Sequence, residues 1–299
     1  MNRTLRLARP VDLAATIGPL RHGRDPSWAV VPGGYAKASL TPDGPGAEVI
    51  VAAAARGEVR QEAYGPGAGW LAERLPELLG VGDDPTGFDP PAPLRQVWRR
   101  HPGWRVPRSR LVFETFVPVV LGQKVTGVEA FASYRRLVLA TGEPVALGPF
   151  PALVVPPPAE VWRDVPSWQW HRAGVGPERA RVVVLAARRA SALERLVDRE
   201  PAEARAVLQS MPGVGVWTAA EVAQRALGDA DAISVGDFHV ARAVVYALTG
   251  RRDGTDGQML ELIADQAGHR FRVQRLVELG RLGPPRHGPR YRGLDFRSM

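Results

Sequence analysis

The feature that most restricts what this chain can fold into is the stretch Leu208–Val245, LQSMPGVGVWTAAEVAQRALGDADAISVGDFHVARAVV. A helix stop, a tight turn built from Pro212, Gly213 and Gly215, and a fresh helix start follow one another within it. Gly213 and Gly215 permit positive φ and leave backbone N–H groups unshielded by side chains. At the start of the next helix those groups, with Val216 and Thr218 beside them, form an anion site strengthened by the partial positive charge of the helix end. A phosphodiester oxygen fits there without any reading of base sequence. Taken alone, MPGVG also describes an ordinary αα-hairpin with a glycine-rich turn. Ala219, Val222, Ala223 and Ala226 give the second helix an apolar face, and Gly228 ends it. A short extended loop, Asp231 to Gly236, then leads to Asp237, at the start of a helix through Val240, Val244 and Leu248. A lone carboxylate in that place is most simply a cap or a partner of the helix dipole.

The rest of the chain divides in two. YAKASL (Tyr35–Leu40), EVIVAA (Glu48–Ala53) and EVRQEA (Glu58–Ala63) are short, strand-like and punctuated by turn signals at Asp43-Gly44-Pro45-Gly46 and Arg56-Gly57. Antiparallel hairpins are the expectation. Helical pieces flank them at Val11–Leu20 and Gly69–Leu79, and the Pro- and Gly-rich GVGDDPTGFDPPAP (Gly80–Pro93) reads as a linker. From Leu94 the pattern is almost wholly helical: Arg108–Val120 with Ser109 as N-cap, Gly127–Leu139, Gly176–Ser191 opened by Pro177, Leu193–Val197, Ala202–Ser210, Gly257–Ala267 and Arg270–Leu279. Pro118 is expected to kink or restart the helix it sits in. Pro149–Val161, PFPALVVPPPAEV, reads as a rigid connector. The fold class is therefore mainly α with an α+β N-terminal part. The divisions are 1–90 for a small antiparallel-sheet domain, 91–280 for a helical domain with its hairpin at about 202–228, and 281–299 for a basic tail.

Composition narrows the partners. Lys plus Arg outnumber Asp plus Glu by 39 to 31, an excess that suits a polyanion. There is no cysteine, so no disulfide, thiolate nucleophile, cysteine-bound zinc or iron–sulfur cluster can form. The first residues lack the apolar run of a signal peptide, and no stretch approaches the ~20 apolar residues that span a bilayer. The expectation is a cytoplasmic, nucleoid-associated protein with no membrane contact.

Taken together, LQSMPGVGVWTA and VGDFHVAR resemble the helix-hairpin-helix DNA glycosylases, in the alkylation-repair branch of 3-methyladenine DNA glycosylase II. VVLGQKVTGVEAFASYRRL (Val119–Leu137), GVGPERARVVVLAA (Gly174–Ala187) and VDLAATIGPLRHG (Val11–Gly23) extend the resemblance over nearly the whole chain. It implies a catalytic carboxylate at Asp237, next to the oxocarbenium-like sugar that forms as an N-glycosidic bond breaks. It implies a monofunctional enzyme, because Trp217 stands where bifunctional relatives carry a lysine nucleophile. The base pocket it implies is formed by Trp217, Phe238, Glu221 and His269, with Glu221 where the family often has an aromatic residue. DNA contacts fall to Gly213, Gly215, Val216, Thr218, Gln123, Lys124 and Arg270, with Lys124 in the place of an apolar wedge. No cofactor is required. A monovalent cation, sodium or potassium, would be held by the backbone carbonyls of Gln209, Met211 and Val214. The implied partner is double-stranded DNA with a damaged base, bound by a monomer. Two alternatives stay open at this point: a damage-binding protein that excises nothing, and a glycosylase for uracil or another neutral lesion.

Overall fold

The computed structural model describes residues 1–53, 57–147 and 150–285. The chain opens with β1 (Asn2–Arg6), α1 (Leu13–Thr16), β2 (Trp28–Val31), β3 (Gly34–Thr41), β4 (Gly44–Ala52), β5 (Glu58–Tyr64) and α2 (Ala68–Leu78). The five strands form one antiparallel sheet in the order β1-β5-β4-β3-β2. Register pairs Tyr35 with Ile50 and Ala38 with Ala47. The expected strands are all present, flanked by β1 and β2 at the edges. The first hairpin turns at Pro42-Asp43, because Gly44, with φ 114°, already pairs with Thr41. Of the second turn signal, Arg56 lies outside the described residues.

Both faces of the sheet are covered. Tyr35, Ile50 and Val59 pack against Leu13, Ile17, Leu75 and Leu78. On the other face Ala36, Ala38, Ala47 and Val49 meet Leu153 and Val155. Those two belong to a hairpin made by β6 (Glu143–Leu147) and β7 (Phe150–Val155). The expected rigid connector over Pro149–Val161 is thus a strand and then a helix; Pro149 itself lies outside the described residues. Its prolines suggest a connector, but an edge strand tolerates proline because one side of its ladder is free. Val154 N–H donates to the Pro26 carbonyl at 3.0 Å, fastening β7 to the sheet.

The helices that follow are α3 (Arg95–Arg100), α4 (Val112–Leu121), α5 (Gly127–Thr141), α6 (Ala159–Asp164), α7 (Ser167–Ala173), α8 (Pro177–Ala187), α9 (Ala190–Glu194), α10 (Pro201–Gln209), α11 (Val216–Val222), α12 (Val240–Thr249), α13 (Asp256–Leu262) and α14 (Arg270–Gly280). One helical core gathers Phe116, Leu137, Trp162, Val183, Leu208 and Ala219. A second joins Leu94, Val244, Met259, Val273 and Leu276. Ala15, Trp104, Val106 and Phe271 bridge the N-terminal part to α14. The Gly80–Pro93 stretch is pinned down, since its Asp83 makes a buried ion pair with Arg272 of α14 at 2.5 Å. The basic tail lies outside the described residues from residue 286 onward.

Two helix starts show how differently the chain solves one problem. Thr126 caps α5 from within, as a capping box with Glu129. Ser109 does not cap α4; the helix begins at Val112, and its Val112 and Phe113 N–H groups donate to Glu194 at 2.9 and 2.8 Å. α4 then runs through Pro118 to Leu121.

Candidate active site

The hairpin folds as its glycines dictate. α10 ends at Gln209, the chain turns through Ser210–Gly215, and α11 begins at Val216. Gly213 has φ 85°, and a Cβ there would sit 2.3 Å from Val182 Cγ2, so the position admits glycine alone. Gly215 has open space around it and precedes the first turn of α11, whose leading N–H groups have no intrahelical acceptor. Val216 is half exposed at 49%, whereas Thr218 is buried. Gln123 braces this turn: its Nε2 donates to the Gly213 carbonyl at 3.0 Å and to Thr218 Oγ1 at 2.8 Å. Lys124 follows in the left-handed region, φ 55°, a conformation costly for a side-chain-bearing residue. It is exposed at the tip of the loop and makes no ion pair with a described residue. The same loop runs past Trp217, whose Cη2 would be 3.5 Å from a Cβ at Gly122.

Asp237 is both a cap and a candidate catalyst. Its Oδ1 accepts from the N–H groups of His239 at 2.7 Å and Val240 at 3.0 Å, closing the start of α12. Its Oδ2 accepts from Trp217 Nε1 at 3.1 Å. Three donors from two elements fix the carboxylate's direction. It borders a cavity of about 770 Å³ lined by α1, Trp104, the end of α11, the start of α12 and the inner face of α14.

That cavity has two kinds of wall. Leu20, Trp104, Val244, Phe271 and Val277 are apolar. The polar lining is joined by a continuous hydrogen-bonded chain. Arg225 Nη1 pairs with Glu221 Oε2 at 2.8 Å, and Glu221 Oε1 accepts from the Ser234 hydroxyl. Ser234 Oγ also accepts from Gln224 Nε2 at 2.9 Å, and its N–H donates to Gln274 Oε1 at 3.0 Å. Gln274 donates on to Glu278, which pairs with Arg275 at 2.8 Å. Gln224 and Arg225 lie in a π-helical turn, Ala223–Leu227, that extends α11. Arg225 also borders a second cavity of about 30 Å³ among His22, Asp25, Glu114 and Tyr134. Burial there, aided by Arg225 and Lys37, pushes His22 down to about 3 and keeps it neutral. Burial likewise pushes Asp25 up to about 6.

Not every expected site residue faces the cavity. Of the expected base pocket, Glu221 lines it together with Asp237. Trp217 spends its indole N–H on Asp237 and packs its ring against the helical core instead. Phe238 is 72% exposed, stacked edge-on to His239 beneath the Arg242 guanidinium. His269 accepts from Arg272 and lies against Phe88, away from the cavity walls. Arg270 is paired with Asp231 at 2.9 Å. Thr16, Trp104, Phe271 and Gln274 line the cavity but carry no local signal in the sequence, being ordinary residues of helices and loops far apart in the chain.

A five-stranded antiparallel sheet ahead of a helical body is a fold this chain shares with solved DNA glycosylases. The chain superposes on the 3-methyladenine DNA glycosylase from Archaeoglobus fulgidus with a TM-score of 0.79 at 21% identity, covering 93% of this chain and 98% of that one. With the 8-oxoguanine glycosylase/lyase of Clostridium acetobutylicum, in complex with DNA containing cytosine opposite 8-oxoG, the TM-score is 0.70 at 13% identity, over 94% and 97% of the two chains. In sequence it is 34% identical over 175 residues to the probable bifunctional transcriptional activator/DNA repair enzyme AlkA of Mycobacterium tuberculosis. That match takes in 55% of this chain and 34% of the relative, so the chain spans about a third of the curated protein's length. No protein-family model matches the chain. No helix among the described residues is long and apolar enough to cross a membrane.

Proposed function

We propose that this protein is a monofunctional DNA glycosylase that extrudes a damaged purine, of the alkylated class, from duplex DNA and hydrolyses its N-glycosidic bond. The observation that carries the reading is Asp237, held by three hydrogen-bond donors at the wall of a cavity large enough for a flipped base and on the same stretch as the hairpin. In the proposed reaction the bond between C1′ and the base nitrogen breaks, and its electron pair leaves with the base. A cationic alkylpurine departs neutral, which makes it a good leaving group. Asp237 stabilises the positive charge that develops on the sugar. Water then bonds to C1′, and its proton passes to the carboxylate and on to solvent.

Trp217 supports hydrolysis over lyase chemistry. Its indole has no amine to attack the sugar, and its N–H is committed to Asp237. The hairpin turn, the exposed Lys124 and Gln123, which braces the turn, together form the surface proposed to hold the backbone around the lesion. At the hairpin, a monovalent cation would be held by the carbonyls of Gln209, Met211 and Val214. Those of Gln209, at the end of α10, and of Met211, which among the described residues accepts from Val214 N–H at 3.0 Å alone, retain lone pairs that fit such an ion. Its contribution would be positive charge near a phosphate.

The test is direct. Randomly methylated duplex DNA is incubated with the protein, and the released bases are identified by mass. Free methylpurines and intact abasic strands are expected, with no covalent adduct trapped by borohydride. A trapped adduct overturns the monofunctional assignment; tight binding of damaged DNA with no base released points to a damage-binding protein instead.

A further inference from the structure

The polar wall of the large cavity carries a pairing surface that the proposed chemistry does not use. Glu221 and Arg225 stand one helical turn apart, both only partly exposed, at 13% and 22%. Among the described residues the Arg225 side chain makes its hydrogen bonds through Nη1, which meets the Glu221 carboxylate, the Glu221 carbonyl at 2.9 Å and Gln224 Oε1 at 3.4 Å. Its Nη2 has no protein acceptor among the described residues, and its Nε is buried without one. Glu221 is anchored by Ser234 through one oxygen and by Arg225 through the other, yet each carboxylate oxygen has a second lone pair. A guanidinium whose Nη2 is without a protein acceptor among the described residues therefore sits beside a rigid carboxylate with idle acceptor capacity.

Charge narrows the answer. Glu221 is neutralised by Arg225, and Glu278 by Arg275, so neither glutamate is a free anion awaiting a cation. What the pair offers is one acceptor next to one donor. The complement is an N–H next to a carbonyl: the lactam edge of guanine-type bases, hypoxanthine included. An adenine-type base presents the opposite order, a ring-nitrogen acceptor beside an exocyclic N–H₂ donor. Against this wall its lone pair would meet a carboxylate and its amino group a guanidinium.

Resting on the glycosylase reading, we propose that Glu221 and Arg225 are specificity-determining residues that read the lactam edge of the extruded base. They favour alkylated guanine and hypoxanthine over alkylated adenine. An edge matched in this way is expected to discriminate by about tenfold or more.

The experiment measures ratios within one reaction, so that differences in leaving-group ability cancel. Wild type and Glu221→Gln are each given randomly methylated DNA, and the 7-methylguanine and 3-methyladenine released are quantified together. A duplex containing deoxyinosine reports hypoxanthine release separately. Glutamine keeps the shape of the side chain but can turn its amide to suit either edge. The ratio of 7-methylguanine to 3-methyladenine is expected to fall about tenfold in the variant. Arg225→Gln is expected to move it in the same direction. A measurement on wild type alone does not depend on how either variant folds: free hypoxanthine should inhibit base release, and free adenine should not. Base release with ratios unchanged in a folded variant, or equal inhibition by the two free bases, overturns the inference and leaves the glycosylase reading intact. Release of no base from any substrate overturns both.

Discussion

The hairpin and the cavity beside it are assembled in opposite ways. Gly213, Trp217 and Asp237 lie on one short stretch, and local rules place them: a positive φ that only glycine relieves, a helix start, a cap. The cavity draws its walls from segments as far apart in sequence as Ala15 and Pro285. The part proposed to grip the sugar–phosphate backbone is therefore compact in sequence, whereas the cavity proposed to receive the base joins Glu221 and Arg225 of that stretch to walls from distant segments. Changes to backbone handling and changes to base choice should be separable by mutation.

The harshest test of that separation is Asp237→Asn. Asparagine keeps an oxygen for the His239 and Val240 N–H groups, so the start of α12 should persist and DNA binding should change little. Base release should fall by about 10²–10³-fold or more, because the charge facing the sugar is gone. Near-normal release would move the chemistry to another carboxylate of the cavity wall, such as Glu221 or Glu278. Gly213→Ala tests the compact half by geometry alone. A methyl group 2.3 Å from Val182 Cγ2 at φ 85° cannot be accommodated without shifting the turn. A loss of about 1–3 kcal/mol in stability is expected, with weaker binding to undamaged duplex. Thermal melting and fluorescence anisotropy measure the two, and wild-type values in both would show that the turn's shape is not what matters.

The smallest effect belongs to a contact that joins distant segments. Burial pushes the Glu194 carboxyl, which caps α4, up to about 7 from its ordinary 4.5, and nearby Glu114 adds to the rise. A folded-state value above the unfolded one means that the folded protein holds this proton more tightly. The stability so gained is complete below pH 4.5 and is lost as pH rises through 7. Glu194→Gln is neutral throughout, so its Tm should drop less than that of wild type between pH 5 and pH 8. The difference is worth a few degrees, on the order of 3 kcal/mol at most. Parallel Tm curves for the two proteins would remove Glu194 as a buried titrating group.

What could be read in the chain follows the same division. The hairpin, the strands β3 to β5 and the aspartate at the head of α12 announce themselves, because each rests on residue types with a strong local preference. Ser109 looks like a cap, yet α4 takes Glu194, and nothing within a helical turn could have signalled a carboxylate from α9. The prolines around Pro149 hid β7, whose strand character comes from the sheet it packs on rather than from its own composition. The resemblance puts Trp217 in the base pocket, whereas its direction in the structure, toward Asp237 and away from the cavity, depends on the core behind it. Glu221 stood out as an anomaly; its guanidinium partner makes it intelligible.

The π-helical turn at Ala223–Leu227 has a consequence for how such a pocket can diversify. A turn of that kind is an α-helix carrying one surplus residue. Removing the surplus would swing every following side chain of the helix by about 100°, while Trp217, upstream, kept its place. A single-codon deletion would thus re-aim Arg225 and redraw the polar wall of the cavity with the hairpin turn untouched. On the proposed reading, such a change would alter base choice while leaving Asp237 in place.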